Sequence, residues 1–217
     1  MSPMPVDMAD RWADRREPAP GEGLLYWHIL LHDHPPVQAL ARRAQDRLPA
    51  FPGLHLVPSK WLHITTLVVG PTDAITAEQA DSMVAEAARL LAGIPPINVR
   101  FGRILYHPQA VMLGVKPGRA LDPVFHAVRA ATRHATSRDG IVDHQPWTPH
   151  ATLAYSTQVQ PAAPIIAALG RELPNCETNI GSVSLVAQEG PERLWDWHPI
   201  ATIPFGSPPS PILNGTV

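Results

Sequence analysis

The chain has 217 residues, enough for one large domain or two small lobes around an ample core. A net charge of −2 offers no basic field for a long nucleic-acid duplex, and the single Cys176 excludes an intramolecular disulfide and a cysteine zinc site. No apolar run reaches the roughly 18 residues of a membrane span, and the first residues mix acids, arginines and prolines without a signal peptide's apolar core, so a cytoplasmic protein is expected.

Residues 1–22 and the Pro-rich tail 206–217 are expected to be arms with little structure of their own, flanking one bilobal domain over 23–205. Leu24 to Leu31 reads as a buried strand. After Pro35-Pro36, the spacing of Val37, Leu40, Ala41, Ala44 and Leu48 predicts a helix. Trp61 to Val69 is a strand ended by Gly70-Pro71. Thr76 caps a helix over Ala77 to Leu91. Ile97 to Tyr106 and Ala110 to Val115 form two strands joined at His107-Pro108. Leu121 to Ala135 is a helix, His150 to Tyr155 a strand, and Pro164 to Leu169 a short helix closed by Gly170. Glu177 to Gln188 and Leu194 to Ile203 are expected to pair as a hairpin around Glu189-Gly190-Pro191.

This order nearly repeats. A strand, a helix, a Pro-containing link and a strand pair run once from position 61 and again from 147, and the stretch from Asn98 resembles the stretch from Asn179. Short paired strands with helices between them favour antiparallel sheets. The expected fold class is α+β, with two pseudo-symmetric lobes of antiparallel sheet, outer helices and a central cleft.

Each half opens on the same phrase: Trp61-Leu-His63-Ile-Thr65-Thr-Leu67 and Trp147-Thr-Pro-His150-Ala-Thr152-Leu153. On a strand, residues i and i+2 share a face, so each phrase aims an imidazole and a hydroxyl into one cleft. As a string the pattern is weak, because His134-Ala-Thr136 matches it too. That copy ends an expected helix, where i and i+2 diverge by about 200°. A lone strand histidine reads most simply as a satisfied core residue, and a lone threonine as a β-former. Two copies in matched contexts weigh against that reading.

With those motifs, the chain from Leu24 to Phe205 resembles the 2H phosphoesterases, which include bacterial 2′-5′ RNA ligase-like proteins and cyclic nucleotide phosphodiesterases. The resemblance implies a metal-independent phosphodiesterase without cofactor. It would act on the 2′,3′-cyclic phosphate or 2′-5′ phosphodiester of a small nucleotide or RNA end, reversibly as a ligase, and is expected to be a monomer. His63 and His150 would be the catalytic pair, and Thr65 and Thr152 would hold the phosphate oxygens. Imidazole titrates near neutrality, so one histidine can act as base while the other acts as acid.

Trp61 shares the face of His63 by parity and is a candidate to stack a base. Tyr26 and His28 alternate along the first strand and can line the cleft floor. Tyr155 has the parity of Ala151 and Leu153, toward the core, yet is kept as a ligand candidate. Trp147 is expected to pack. Lys60, Arg103, Lys116 and Arg193 are candidate phosphate neighbours.

A metal hydrolase is the first rival, with His32-Asp33-His34 as ligands, but alternate positions in a turn chelate poorly and no His-Glu-x-x-His supports them. No glycine-rich phosphate loop or Gly-x-Ser-x-Gly elbow occurs. The alternative from another class is a non-catalytic module that binds nucleotides or RNA ends in the same cleft.

Overall fold

A computed structural model of the chain describes residues 4–16, 18–19, 21–141 and 146–206. Eleven strands and four α-helices alternate among them: β1 (Asp7–Met8), β2 (Gly23–Leu30), α1 (Pro35–Gln45), β3 (Leu54–Leu56), β4 (His63–Pro71), α2 (Ala77–Leu91), β5 (Ile97–His107), β6 (Ala110–Lys116), α3 (Asp122–Thr136), β7 (His150–Ser156), β8 (Gln160–Pro161), α4 (Ala162–Leu169), β9 (Glu172–Ile180), β10 (Ser182–Glu189) and β11 (Trp197–Pro204).

Local chemistry sets several boundaries. Pro35 and Pro36 open α1, where a missing N–H costs nothing. Thr76 and Gln79 form a reciprocal capping box at the start of α2, a device worth about 1 kcal/mol. Gly170, at a φ of 73°, ends α4 in a conformation that a side chain would strain.

Nine strands make one sheet in the order β11-β10-β2-β4-β7-β6-β5-β9, with β3 added beside β7, and every registered pair is antiparallel. The expected α+β class and two antiparallel lobes with outer helices are present. One lobe is β11-β10-β2-β4 and the other β7-β6-β5-β9.

The lobes exchange chain. The pair β5-β6 follows the first motif strand yet joins the second, while β10 and β11 return beside β2. The helices cross too: α1 packs on β7 and β9, whereas α3 packs on β4 and α2 on α3 and β11. The similar stretches at 98 and 179 are direct partners, with Asn98 registered on Asn179. The expected strand 177–188 is instead divided at Gly181 into β9 and β10, which serve different lobes.

The N-terminal segment, expected to carry little structure, is docked on the domain. Met8 is buried, β1 pairs with β8, and the backbone N–H of Arg11 donates to the Ser156 carbonyl. The physical reason is apolar: Met8 and Trp12 supply the contact that the surrounding charges conceal in the sequence. The expected tail lies outside the described residues from 207 onward.

Between the lobes, β4 and β7 share a single registered pair, Ile64 with Ala151. Beyond it β7 is taken up by β3, through Leu56↔Ala154 and Leu54↔Ser156, and the two motif strands diverge. Their divergence opens the cleft.

Candidate active site

Ile64 and Ala151 are fully buried toward the helices, so strand alternation turns their neighbours the other way. An antiparallel register centred on this pair sets His63 across from Thr152 and Thr65 across from His150. All four line one cleft of about 1800 Å³. The third match, His134-Ala-Thr136, sits at the end of α3, and Thr136 spends its hydroxyl on the Thr132 carbonyl.

The two imidazoles are held alike. Nδ1 of His63 lies 2.7 Å from the Trp61 carbonyl, and Nδ1 of His150 lies 2.7 Å from the Thr148 carbonyl. A carbonyl only accepts, so each Nδ1 carries the proton and each neutral ring keeps Nε2 as its lone-pair nitrogen. Burial pushes His63 down to about 4, opposed by the bond to Trp61 and assisted by the nearby His150. Burial also lowers His150, against its bond to Thr148.

Behind His63 sits an aromatic wall. His28, on β2 opposite Thr65, is buried and lies 4.2 Å from the His63 ring, and Trp197 meets His63 edge-on at 4.7 Å. Tyr26 stacks on His28 at 4.9 Å and lines the cleft, its hydroxyl pushed up to about 12 by burial. Tyr26 and His28 therefore occupy the floor as expected, though His28 has its neighbours in the protein.

A profile of the 2′-5′ RNA ligase superfamily matches residues 22–192, most of the chain and both motifs. The chain belongs to this superfamily, that of the 2H phosphoesterases. Among curated proteins no sequence match is found. Solved structures share the fold at low identity. TT0787 of Thermus thermophilus aligns with a TM-score of 0.64 at 19% identity, over 85% of this chain and 98% of that one. E. coli LigT, crystallised with 3′-AMP, aligns at 0.65 and 15% identity over 85% and 98%. The MHV ns2 PDE domain aligns at 0.56 and 13% over 76% and 99%.

Within this 2H phosphoesterase fold, strand parity does not describe two of the candidate residues. Trp61 stands in a 3-10 turn over Ser59–Trp61, before β4 begins, so strand parity does not reach it. It packs edge-on to Trp197 at 4.7 Å under Lys60 and serves His63 with its carbonyl, not its ring. Tyr155 is buried in the core cluster and also borders the cleft, because Leu153 is an extra residue between the pairs Val111↔Ala154 and Met112↔Thr152. Such a bulge inverts the alternation beyond it.

Trp147 packs as expected, stacked on Phe125, and its indole N–H donates to the Thr65 carbonyl at 3.0 Å. Of the candidate cations, Arg103 lines the cleft, Lys116 pairs with Glu172 at 3.7 Å, and the Arg193 carbonyl accepts from His55. His32 pairs with Asp33, His34 bonds Thr178, and among the described residues no three His, Cys, Asp or Glu gather as a metal site.

Arg11 is a site residue that the sequence pattern does not announce. Its guanidinium lies 4.9 Å over the Tyr155 ring and donates to both Glu192 oxygens, the shorter bond being 2.8 Å. Only the apolar Met8 and Trp12 beside it hint that this segment docks. Among the described residues no helix is long and apolar enough to cross a membrane.

Proposed function

We propose that the protein is a metal-independent phosphodiesterase that opens the 2′,3′-cyclic phosphate, or cleaves the 2′-5′ phosphodiester, of a nucleotide or RNA end. The single observation that carries this reading is the matched pair of imidazoles in one cleft. Each is oriented by a backbone carbonyl through Nδ1, and each has a threonine across from it on the opposing strand. The E. coli LigT structures with 3′-AMP, NADP+ and ATP support a nucleotide as ligand.

In the hydrolytic direction we assign His63, kept neutral by burial, as the base. Its Nε2 takes a proton from water as the water oxygen bonds to phosphorus. The bond from phosphorus to one ribose oxygen breaks, and His150, protonated at Nε2, gives its proton to that oxygen. Product release and proton exchange with solvent restore the starting states. Thr65 and Thr152 donate to the non-bridging oxygens as charge develops on them. Ligation would put a 5′-hydroxyl in the place of water: its oxygen bonds to the phosphorus of the cyclic phosphate as His63 takes its proton, and the bond from phosphorus to the 3′-oxygen breaks as that oxygen takes the proton of His150, leaving a 2′-5′ phosphodiester. Acid–base help of about 10²–10⁴-fold is joined by positioning in the cleft.

The test is turnover of a 2′,3′-cyclic nucleotide in excess EDTA by wild type, His63→Ala and His150→Ala. Activity in wild type, resistant to EDTA and lost by at least about 100-fold in each variant, is the expected result. Abolition by EDTA overturns the metal-free mechanism. Tight nucleotide binding without turnover identifies a binding module instead.

A further inference from the structure

The docked N-terminal segment touches both lobes. Its backbone is anchored on the second lobe. The Ala9 N–H donates at 2.7 Å to the Pro108 carbonyl, between β5 and β6, and the Arg11 N–H at 2.8 Å to the Ser156 carbonyl, at the end of β7. The Arg11 side chain reaches the first lobe, where it donates to both carboxylate oxygens of Glu192, in the 3-10 turn between β10 and β11. We propose that this segment is a strap that fixes the two lobes against each other, with Arg11 as a positioning residue that sets the His150–Thr152 strand at its working distance from His63. The proposal rests on the phosphodiesterase reading and adds to it a residue outside the matched superfamily region, which begins at residue 22.

Three observations lead there. The two motif strands share one registered pair, Ile64 with Ala151, and diverge beyond it, so this seam alone does not fix the far end of β7. At that far end the lobes meet again through Tyr155, whose ring stacks on Trp195 of the first lobe at 5.6 Å. The Arg11 guanidinium covers the same ring at 4.9 Å, a cation on an aromatic face. Lastly, this contact leads to both motifs. Trp195 meets Trp197 edge-on, and Trp197 meets His63; on the other side the Tyr155 and Thr152 hydroxyls face each other across the bulge at Leu153.

The chemistry of the pair suits a strap. A guanidinium that donates to both oxygens of one carboxylate fixes direction as well as distance. The Arg11 side chain is 19% exposed, so water competes for it less than for a surface pair. Arg11 also neutralises Glu192, which borders the cleft and would otherwise repel an anionic substrate. Its two effects, positioning and screening, are separable by removing the carboxylate together with the guanidinium.

The experiment measures kcat and KM on a 2′,3′-cyclic nucleotide for wild type, Arg11→Gln and Arg11→Gln/Glu192→Gln, each well below its thermal midpoint. The single variant should lose in both constants. The double variant leaves no bare carboxylate, so KM should recover while kcat stays down by about tenfold, since a misplacement of about 1 Å can cost about 10²-fold. Recovery of wild-type kcat in the double variant overturns the proposal, because Arg11 then only screens Glu192. A second measurement needs no turnover. Nitroxides on the native Cys176 of β9 and on Ile200→Cys of β11, the two outer strands of the sheet, report the lobe separation by electron–electron resonance. A broader or longer distance in the double variant supports the strap, and an unchanged distribution overturns it. Arg11→Lys, which keeps the charge but not the fork, takes the place of the double variant in both measurements if that variant does not fold. If wild type turns over no cyclic nucleotide, the phosphodiesterase reading falls and the distance measurement alone decides the strap.

Discussion

The imidazole of His28 lies 4.2 Å, centroid to centroid, from that of His63. His28 is 1% exposed and its Nδ1 has no hydrogen-bond partner, so burial, with the neighbouring His63, holds its pKa far below the usual value. It is a neutral wall, and with Trp197 it keeps water from the back of His63. The desolvation that depresses His63 is thus built into β2 and β11 rather than into the motif itself.

That arrangement predicts the pH profile. His63 must be neutral to act as base, and it loses its proton near pH 4. His150 must be protonated to act as acid, and its pKa lies below the ordinary 6.5 because of burial. In the free enzyme kcat/KM should therefore rise through about pH 4 and fall again before pH 6.5, with an acidic optimum. The profile of kcat/KM on a cyclic nucleotide checks this, and a maximum above pH 7 contradicts the lowered pKa values of the two imidazoles.

Thr65→Val and Thr152→Val keep a β-branched side chain and remove one donor each. A hydrogen bond to a charged group is worth about 1.5–3 kcal/mol, so each variant should lose roughly 10- to 100-fold in kcat/KM. Steady-state kinetics and thermal midpoints, measured together, separate the possibilities. A fall in midpoint with kcat/KM intact would make the hydroxyls structural.

Strand parity makes the four motif residues legible, because both motifs lie on short strands where alternation holds from His63 to Thr65 and from His150 to Thr152. It fails wherever a bulge intervenes. On β4, Thr66 and Val69 are extra residues against β2, and on β7 Leu153 is extra against β6. Bulges depend on both partner strands, and one strand's alternation does not encode them. Tyr155 borders the cleft for that reason while it stays packed in the core cluster. The exchange of strands between lobes is hidden as well, since Gly181 breaks β9 from β10 without a turn long enough to announce it. Arg11 escapes sequence reasoning because its role depends on Glu192, remote in the chain and joined to it only by folding.

Acid should destabilise the fold through the same histidines. His28, His63 and His150 all have folded pKa values below the unfolded value of about 6.5. Below pH 6.5 the unfolded chain binds more protons, so stability present above that pH is lost as the pH falls toward 4. His63 alone, held at about 4, accounts for roughly 3 kcal/mol over that window. Urea midpoints should drop between pH 7 and pH 4.5, and the drop should shrink in His63→Gln. An unchanged midpoint would show that the imidazoles are not desolvated.

On the opposite face of β2 from His28, Trp27 is fully buried, and its indole N–H donates to the Thr132 hydroxyl of α3 at 3.1 Å. Thr132 in turn donates to the Val128 carbonyl at 2.8 Å. This relay ties the strand that carries Tyr26 and His28 to the helix layer. Thr132→Val keeps the shape but leaves the indole N–H buried without an acceptor, at a cost of about 1–3 kcal/mol. Thr132→Ser keeps the acceptor and loses one methyl, about 0.8 kcal/mol. Chemical denaturation of the two variants should rank Ser above Val in stability. The reverse order would mean that packing around the methyl, and not the relay, holds β2 against α3.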